Sequence, residues 1–287
     1  MSSRFAHDTA ATSLGSGRYA ARVDLGWWIE RGPNGGYVAA LILRAVTAEV
    51  ADPERRLRSF TVHYLAPPVE GDVEIEVTVE RQGRSMTSVS ARLVQDGRLL
   101  ALAVAAFSTS RPSIEFCTLV MPDVEPPEAL ESMPTVDAAT GERIGPVMRQ
   151  RYEQRWAIGP RPFTGGAAAM ADVREAVAGG WIRLAPSELG DEPGPDRASA
   201  VDPHLLVAMA DAWMPPVFGL VDEPTPVPTI DLTVHLRDPH PVASDDWVLV
   251  VFRSTVASDG FIEEDGELWS RDGRLLAQSR QLAVILV

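Results

Sequence analysis

The strongest constraint on this chain is that it repeats itself. Ser59-Phe60-Thr61-Val62-His63-Tyr64 is matched by Asp231-Leu232-Thr233-Val234-His235-Leu236, with Thr-Val-His identical. Further along, Asp96-Gly97-Arg98-Leu99-Leu100-Ala101 recurs unchanged as Asp272-Gly273-Arg274-Leu275-Leu276-Ala277. The two matches lie 172 and 176 residues apart. A nearly constant offset between two motifs marks a duplicated structural unit, and the unit sets the fold. A chain of 287 residues accommodates two such units of about 140 residues, each large enough to bury its own core.

The halves carry the same order of elements. In the first, residues 19–30 read as extended chain, and Gly35-Gly36 opens an apolar helix from Tyr37 to about Val50. Strands follow at 59–65, 73–82, 87–95 and 99–108, with Asp96-Gly97 as the tight turn of the last hairpin. In the second half, 151–158 and 181–184 read as extended, separated by an insertion over 167–178 with a helical composition. Asp202-Pro203 is a helix start, a capping acid before a proline at the first position. That helix is expected to run to Trp213 and to stop at Pro215-Pro216, with strands at 229–237, 247–257, 261–270 and 275–286. Between the halves, 111–145 is rich in proline and acid and reads as a loose surface connector. The expected organisation is an N-terminal unit over 1–110, the connector, and a C-terminal unit over 146–287. One apolar helix and a run of long antiparallel strands, twice over, describe an α+β double hot-dog: in each half a sheet wraps around a central helix.

Composition removes several function classes. The net charge of −14 argues against nucleic acid as a partner. All 26 basic residues are arginine, so nucleotide-loop and Schiff-base lysines are absent. No Gly-x-Ser-x-Gly elbow occurs, and the five histidines form neither His-Glu-x-x-His nor a zinc cluster. No apolar run reaches the 18–20 residues or so of a membrane span. The start of the chain lacks the pattern of a signal peptide. A single cysteine, Cys117, suits a reducing cytoplasm.

The ordered set of short motifs resembles the type II acyl-CoA thioesterases. Those motifs are Gly35-Gly36-Tyr37, Ser59-Phe60 through Tyr64-Leu65 with Pro67, and Arg84-Ser85 before a strand ending in Asp-Gly. The second half supplies Ala210-Asp211, Pro228-Thr229-Ile230-Asp231, and the repeated Asp-Gly-Arg-Leu-Leu-Ala followed by Gln281. The resemblance spans about Gly32 to Phe107 and about Pro203 to Ile285. It implies an acyl-CoA substrate and no cofactor or metal, with association of the double chains into a homo-oligomer. It also implies an aspartate, a threonine and a glutamine that hold and activate a water, which fall on Asp211, Thr229 and Gln281. The chain departs from the family in having Thr61 where some members carry histidine, and Asn34-Gly35-Gly36-Tyr37 in place of a Gly-Gly-Gln opening.

The residues carry part of this argument unaided. His204 and Asp211 are the two clearly polar side chains of 204–216, and burial there raises a carboxyl's pKa toward the range of a general base. An acid so placed can equally be a structural partner of an arginine or a backbone amide. Gln281 alternates onto the face of Ala283 and Ile285, where an amide must find partners. Thr229 alone is an ordinary strand residue. At the two repeat offsets Gln281 corresponds to Ala105 and Thr229 to Leu57, so a single polar set is expected per chain. Backbone amides near Gly35, Gly36 and Tyr37, at a helix start, are candidate oxyanion or substrate donors, although the glycines can also serve close packing. Arg58 and Arg84 are candidates for the phosphates of coenzyme A. A non-catalytic acyl-CoA or lipid binder is the competing reading. A hot-dog hydratase is disfavoured, because Asp231 to His235 is one residue short of its Asp-His spacing.

Overall fold

The computed structural model describes residues 3–165, 176–189, 201–238, 242 and 246–286. The first half contributes α1 (Arg4–Asp8), β1 (Ala11–Gly15), β2 (Arg18–Val23), α2 (Gly35–Val50), β3 (Arg56–Tyr64), β4 (Gly71–Gln82), β5 (Met86–Gln95) and β6 (Arg98–Ser108). The second contributes β7 (Tyr152–Ile158), β8 (Ala176–Leu184), α3 (Pro203–Met209), β9 (Thr229–Leu236), β10 (Val248–Ser254), β11 (Ala257–Ser258), β12 (Phe261–Ser270) and β13 (Leu275–Val284). All pair antiparallel in one sheet of order β1-β2-β4-β5-β6-β3-β9-β13-β12-β10-β8-β7, with β11 on β12. The second six strands repeat the first six in mirror order, so β3 and β9 meet at a pseudo-twofold axis. Thr61 stands directly opposite Thr233 there, their hydroxyls 2.9 Å apart. This is the double hot-dog architecture.

Irregularities are duplicated along with the strands. Leu57 pairs with Phe107 and Ser59 with Ala106, which leaves Arg58 as a bulge. Thr229 pairs with Ala283 and Asp231 with Leu282, which leaves Ile230 as the same bulge. The two Asp-Gly turns differ, however. In the first, Gln95 pairs with Arg98, and both Asp96 and Gly97 have positive φ, as a two-residue hairpin turn requires. In the second, the extra residue Arg271 makes a three-residue loop between Ser270 and Arg274, and Gly273 alone takes the left-handed position, φ +87°. One inserted residue thus accounts for part of the drift between the two offsets.

Helix α2 is buried from Gly36 to Val46 apart from Arg44. Leu41, Ile42 and Leu43 are fully enclosed, each worth about 1.5–3 kcal/mol of transfer from water. Asn34 caps its start by accepting from the Tyr37 amide at 3.0 Å. Helix α3 packs antiparallel on it, with Asp202 as cap, accepting from the Leu205 amide. The helix ends at Met209, four residues short of the expected Trp213. The turn after it tightens, with Asp211 N bonding Ala208 O and Ala212 N bonding Met209 O. Its orphan carbonyls are taken by distant side chains: Asn34 Nδ2 donates to Asp211 O at 2.7 Å and Gln154 Nε2 to Ala212 O at 2.9 Å.

Two further expectations need correction. Residues 176–178, read as the end of a helical insertion, belong to strand β8, where they pair with β10; most of that insertion lies outside the described residues. The later part of the connector is anchored, while residues 111–120 are exposed. Met121, Val124 and Leu130 pack on an apolar cluster of Trp181, Trp247, Leu249, Val251 and Trp269, and Trp181 Nε1 donates to Glu125 O at 2.9 Å. It straps the outer face of the second half's sheet because that face carries three tryptophans, and Arg155 and Arg183 stack over Trp247 at 4.9 and 4.4 Å. No helix among the described residues is long and apolar enough to cross a membrane.

Candidate active site

The antiparallel packing of the helices brings the end of α3 onto the start of α2. Gly36 makes that approach close. A Cβ at Gly36 would meet Ala208 O at 2.5 Å and Asp211 Cβ at 3.0 Å, and one at Gly35 would meet Asp211 Oδ2 at 2.9 Å. Asp211 Oδ2 consequently accepts from the Gly36 amide at 2.8 Å and from Asn34 Nδ2 at 2.9 Å. Strand β9 begins beside it and sets the Thr229 side chain close enough to act on the carboxyl. Thr229 Oγ1 donates to Gln281 Oε1 at 3.0 Å, since β13 runs next to β9 in the sheet. Tyr64, on β3, donates its hydroxyl to Gly35 O at 2.7 Å and closes the other side of the glycine pair. Asp211, Thr229 and Gln281 therefore converge, although 70 residues separate the first from the last.

Two opposing effects act on Asp211. The half-buried position penalises its charge, while the Gly36, Asn34, Gly35 and Thr229 donors favour it; desolvation wins, and the carboxyl is pushed up to about 6. The Gly35 and Gly36 amides form the positive end of the α2 dipole, so the acid is held ionisable near neutrality without being surrendered to an arginine. That distinguishes it from Asp202 at the other end of α3, which Arg44 Nη1 contacts at 2.9 Å and His204 Nδ1 at 3.0 Å. Hydrogen bonding and charge hold Asp202 down at about 2 despite its burial.

The amide donors are used differently from the sequence expectation. The Gly36 amide holds the Asp211 carboxylate, the Gly35 amide acts on it from beside, and the Tyr37 amide is bonded to the Asn34 cap. In this arrangement they organise the acid and the helix start, and no oxyanion pair is left at Gly36 and Tyr37. Arg58 and Arg84 stand apart from this polar cluster. The β3–β9 register pairs Ser59 with His235 and His63 with Asp231, so Arg58 lies at the opposite end of β9 from Thr229, about 20 Å along the strand. Arg58 Nε donates to Ser108 Oγ at 2.9 Å. Arg84 sits in the adjoining β4–β5 turn, whose backbone Arg55 braces through Gly83 O and Arg84 O. Among the described residues, no group of three His, Cys, Asp or Glu side chains could hold a metal ion.

Three residues of the cluster carry no local signal strong enough to single them out: Asn34 reads as part of a helix start, Tyr64 as part of a motif, and Glu264 as one of an acidic run. Glu264, on β12, stands opposite Gln281 in the register, and Gln281 Nε2 donates to its Oε1. Period-two alternation was the available signal: Ile262, Glu264, Gly266 and Leu268 share a face of β12, and Ile262 and Leu268 are buried.

A double hot-dog with one polar cluster at the helix junction defines the class of protein. The chain matches the acyl-CoA thioesterase N-terminal domain over residues 24–109 and the acyl-CoA thioesterase C-terminal domain over 127–285. It belongs to the acyl-CoA thioesterase family. Among solved structures it resembles a hot-dog protein of unknown function from Alicyclobacillus acidocaldarius, at 28% identity and TM-score 0.80, covering 100% of this chain and 99% of that one. A protein from Thermobifida fusca described as a candidate thioesterase II is 29% identical with TM-score 0.77, covering 100% and 98% of the two chains. The acyl-CoA thioesterase II of Mycobacterium marinum shares the fold, at 19% identity and TM-score 0.72 with 98% of each chain covered. An uncharacterised protein of Mycobacterium tuberculosis is 24% identical over 285 residues, 90% of this chain and 88% of its own.

Proposed function

We propose that this protein hydrolyses acyl-CoA thioesters, with Asp211 as general base and Thr229 and Gln281 orienting the water. The observation that carries the reading is the hydrogen-bonded convergence of these three side chains on a carboxyl held at about 6. A carboxylate of that basicity accepts a proton at neutral pH, while a hydroxyl and an amide beside it fix the direction of the water's lone pair. The water oxygen attacks the thioester carbonyl carbon and gives its proton to Asp211. Collapse of the tetrahedral adduct breaks the C–S bond, and the departing thiolate takes that proton back. The products are the free acid and coenzyme A. The Gly35 and Gly36 amides and Asn34 hold Asp211 through this cycle. A reducing cytoplasm suits the exposed, unpaired Cys117, and assembly into a homo-oligomer is part of the same reading.

Thiol release from a panel of acyl-CoA chain lengths tests this. Turnover with at least one chain length, lost in Asp211→Asn, is expected. Tight binding with no thiol released from any of them would instead make the protein an acyl-CoA binder.

A further inference from the structure

The polar cluster does not end at Gln281. Glu264, Gln281, Thr229 and Asp211 form one hydrogen-bonded chain across β12, β13, β9 and the tail of α3, with a carboxyl group at each end. Such a chain must have a direction. When Asp211 is ionised, Thr229 best serves it by donating its single hydroxyl hydrogen there. The threonine oxygen then needs a donor, and within this chain the Gln281 amide nitrogen supplies it. That turns the amide oxygen toward Glu264, where a protonated carboxyl satisfies it. When Glu264 is ionised, every link reverses: Gln281 Nε2 donates to Glu264 and Thr229 donates to Gln281 Oε1, which favours a proton on Asp211. The hydrogen bonds described above follow the second direction, and a half-turn of the Gln281 amide gives the first, so the chain favours a single negative charge at one end or the other.

We propose that Glu264 is a positioning residue for water activation: as the neutral acid it donates to Gln281, turns Nε2 toward Thr229, and leaves the Thr229 hydroxyl to serve the Asp211 carboxylate. The inference rests on the reading of Asp211 as the base. The charged groups acting on Glu264 all oppose a charge there: Asp211 from the α3 tail, and Glu263 and Asp265 from its own strand. Its other chain neighbours, Gln281 and Thr229, are neutral. Burial is the largest cause and the repulsion adds to it; together they outweigh the Gln281 hydrogen bond, and the Glu264 carboxyl is pushed up to about 8, above the value of about 6 at Asp211. Asp211 therefore loses its proton first as pH rises, the order that the proposal requires. In the first half the position matching Glu264 is Val89, opposite Ala105 in the register, so the whole polar chain belongs to the second half.

The test is the pH profile of kcat and kcat/KM for thiol release in the wild-type protein, Glu264→Gln, Glu264→Val and Asp211→Asn. The wild type is expected to rise through about pH 6 and to fall through about pH 8, with the spontaneous hydrolysis rate subtracted. Glu264→Gln donates without titrating, so it should keep the ascending limb, lose the descending one, and lower kcat at pH 7 by less than about tenfold. Glu264→Val removes the donor and should lower kcat by roughly 10²-fold with KM little changed. A purely structural role would depress both variants alike and leave the limbs in place. An unaltered descending limb in Glu264→Gln, with Asp211→Asn inactive, overturns this proposal alone. Full activity in Asp211→Asn overturns the base assignment and this proposal with it.

Discussion

The two halves share strand order, register and bulges, yet they differ wherever the polar chain runs. Where the second half has Thr229, Gln281 and Glu264, the first has Leu57, Ala105 and Val89, all buried and at matching positions in the ladders. The helix junctions differ in the same sense. At the junction by the start of α2, an acid meets backbone amides and an asparagine. At the junction by the start of α3, Asp202 meets Arg44, and His204 Nε2 lies 3.2 Å from Thr47 Oγ1. An ion pair suppresses the basicity of Asp202, whereas the amides leave Asp211 titrating near neutrality. The halves share one frame, but the positions that carry the polar chain in the second are apolar and packed in the first.

Importing the first half's residues into the second is the sharpest way to strain this comparison. Thr229→Leu with Gln281→Ala should cost roughly 10²-fold in kcat, because the water loses both orienting groups. The fold should hold, since leucine and alanine already pack at the equivalent sites, and circular dichroism with thiol release would show both outcomes. The reverse exchange, Leu57→Thr with Ala105→Gln, should leave kcat without gain, because no basic carboxylate faces those positions. A measurable gain would mean that the first half retains a competent acid.

A smaller effect is expected at the glycine junction. Gly36→Ala places a Cβ against Ala208 O and Asp211 Cβ, and overpacking of that kind costs about 1–3 kcal/mol. Thermal unfolding should register the loss, and kcat should fall with it as Asp211 is displaced. An unchanged melting temperature would show that the two helix ends are not in close contact.

The smallest effect is on stability and depends on pH. The folded protein holds the Asp211 proton up to about pH 6, while an unfolded aspartate releases it near 4 or so. The folded value is the higher one, so the stabilisation linked to this proton is complete at low pH and is lost as pH rises through about 6. Asp211→Asn removes that loss. The variant should gain stability relative to wild type as pH rises from about 4 to 6 and keep that gain above it, by a few degrees in melting temperature. A variant destabilised at pH 8 would mark Asp211 as a structural acid.

Much of the fold was legible because the repeat, the period-two alternation and the Asp-Gly turns are local signals. Asp211 and Gln281 stood out for a similar reason, as polar groups in apolar runs. What escaped depends on contacts distant in sequence. The end of α3 at Met209 is set by Asn34 and Gln154 reaching the Asp211 and Ala212 carbonyls, and no local breaker announces it. The fate of the Gly36 amide is decided by an acid 175 residues away. Glu264 was hidden in Glu263-Glu264-Asp265, a run that reads as a solvated edge until the β12–β13 register turns its middle member inward.

The central claim is that Asp211 is the base for a water nucleophile, and it is tested most directly by steady-state thiol release in Asp211→Asn. The substitution preserves size and the hydrogen bonds to Gly36 while removing the proton acceptor. The account predicts a fall in kcat of roughly 10²–10⁴-fold with folding intact. A variant that hydrolyses acyl-CoA within about twofold of wild type, a difference of only some 0.4 kcal/mol, would contradict it.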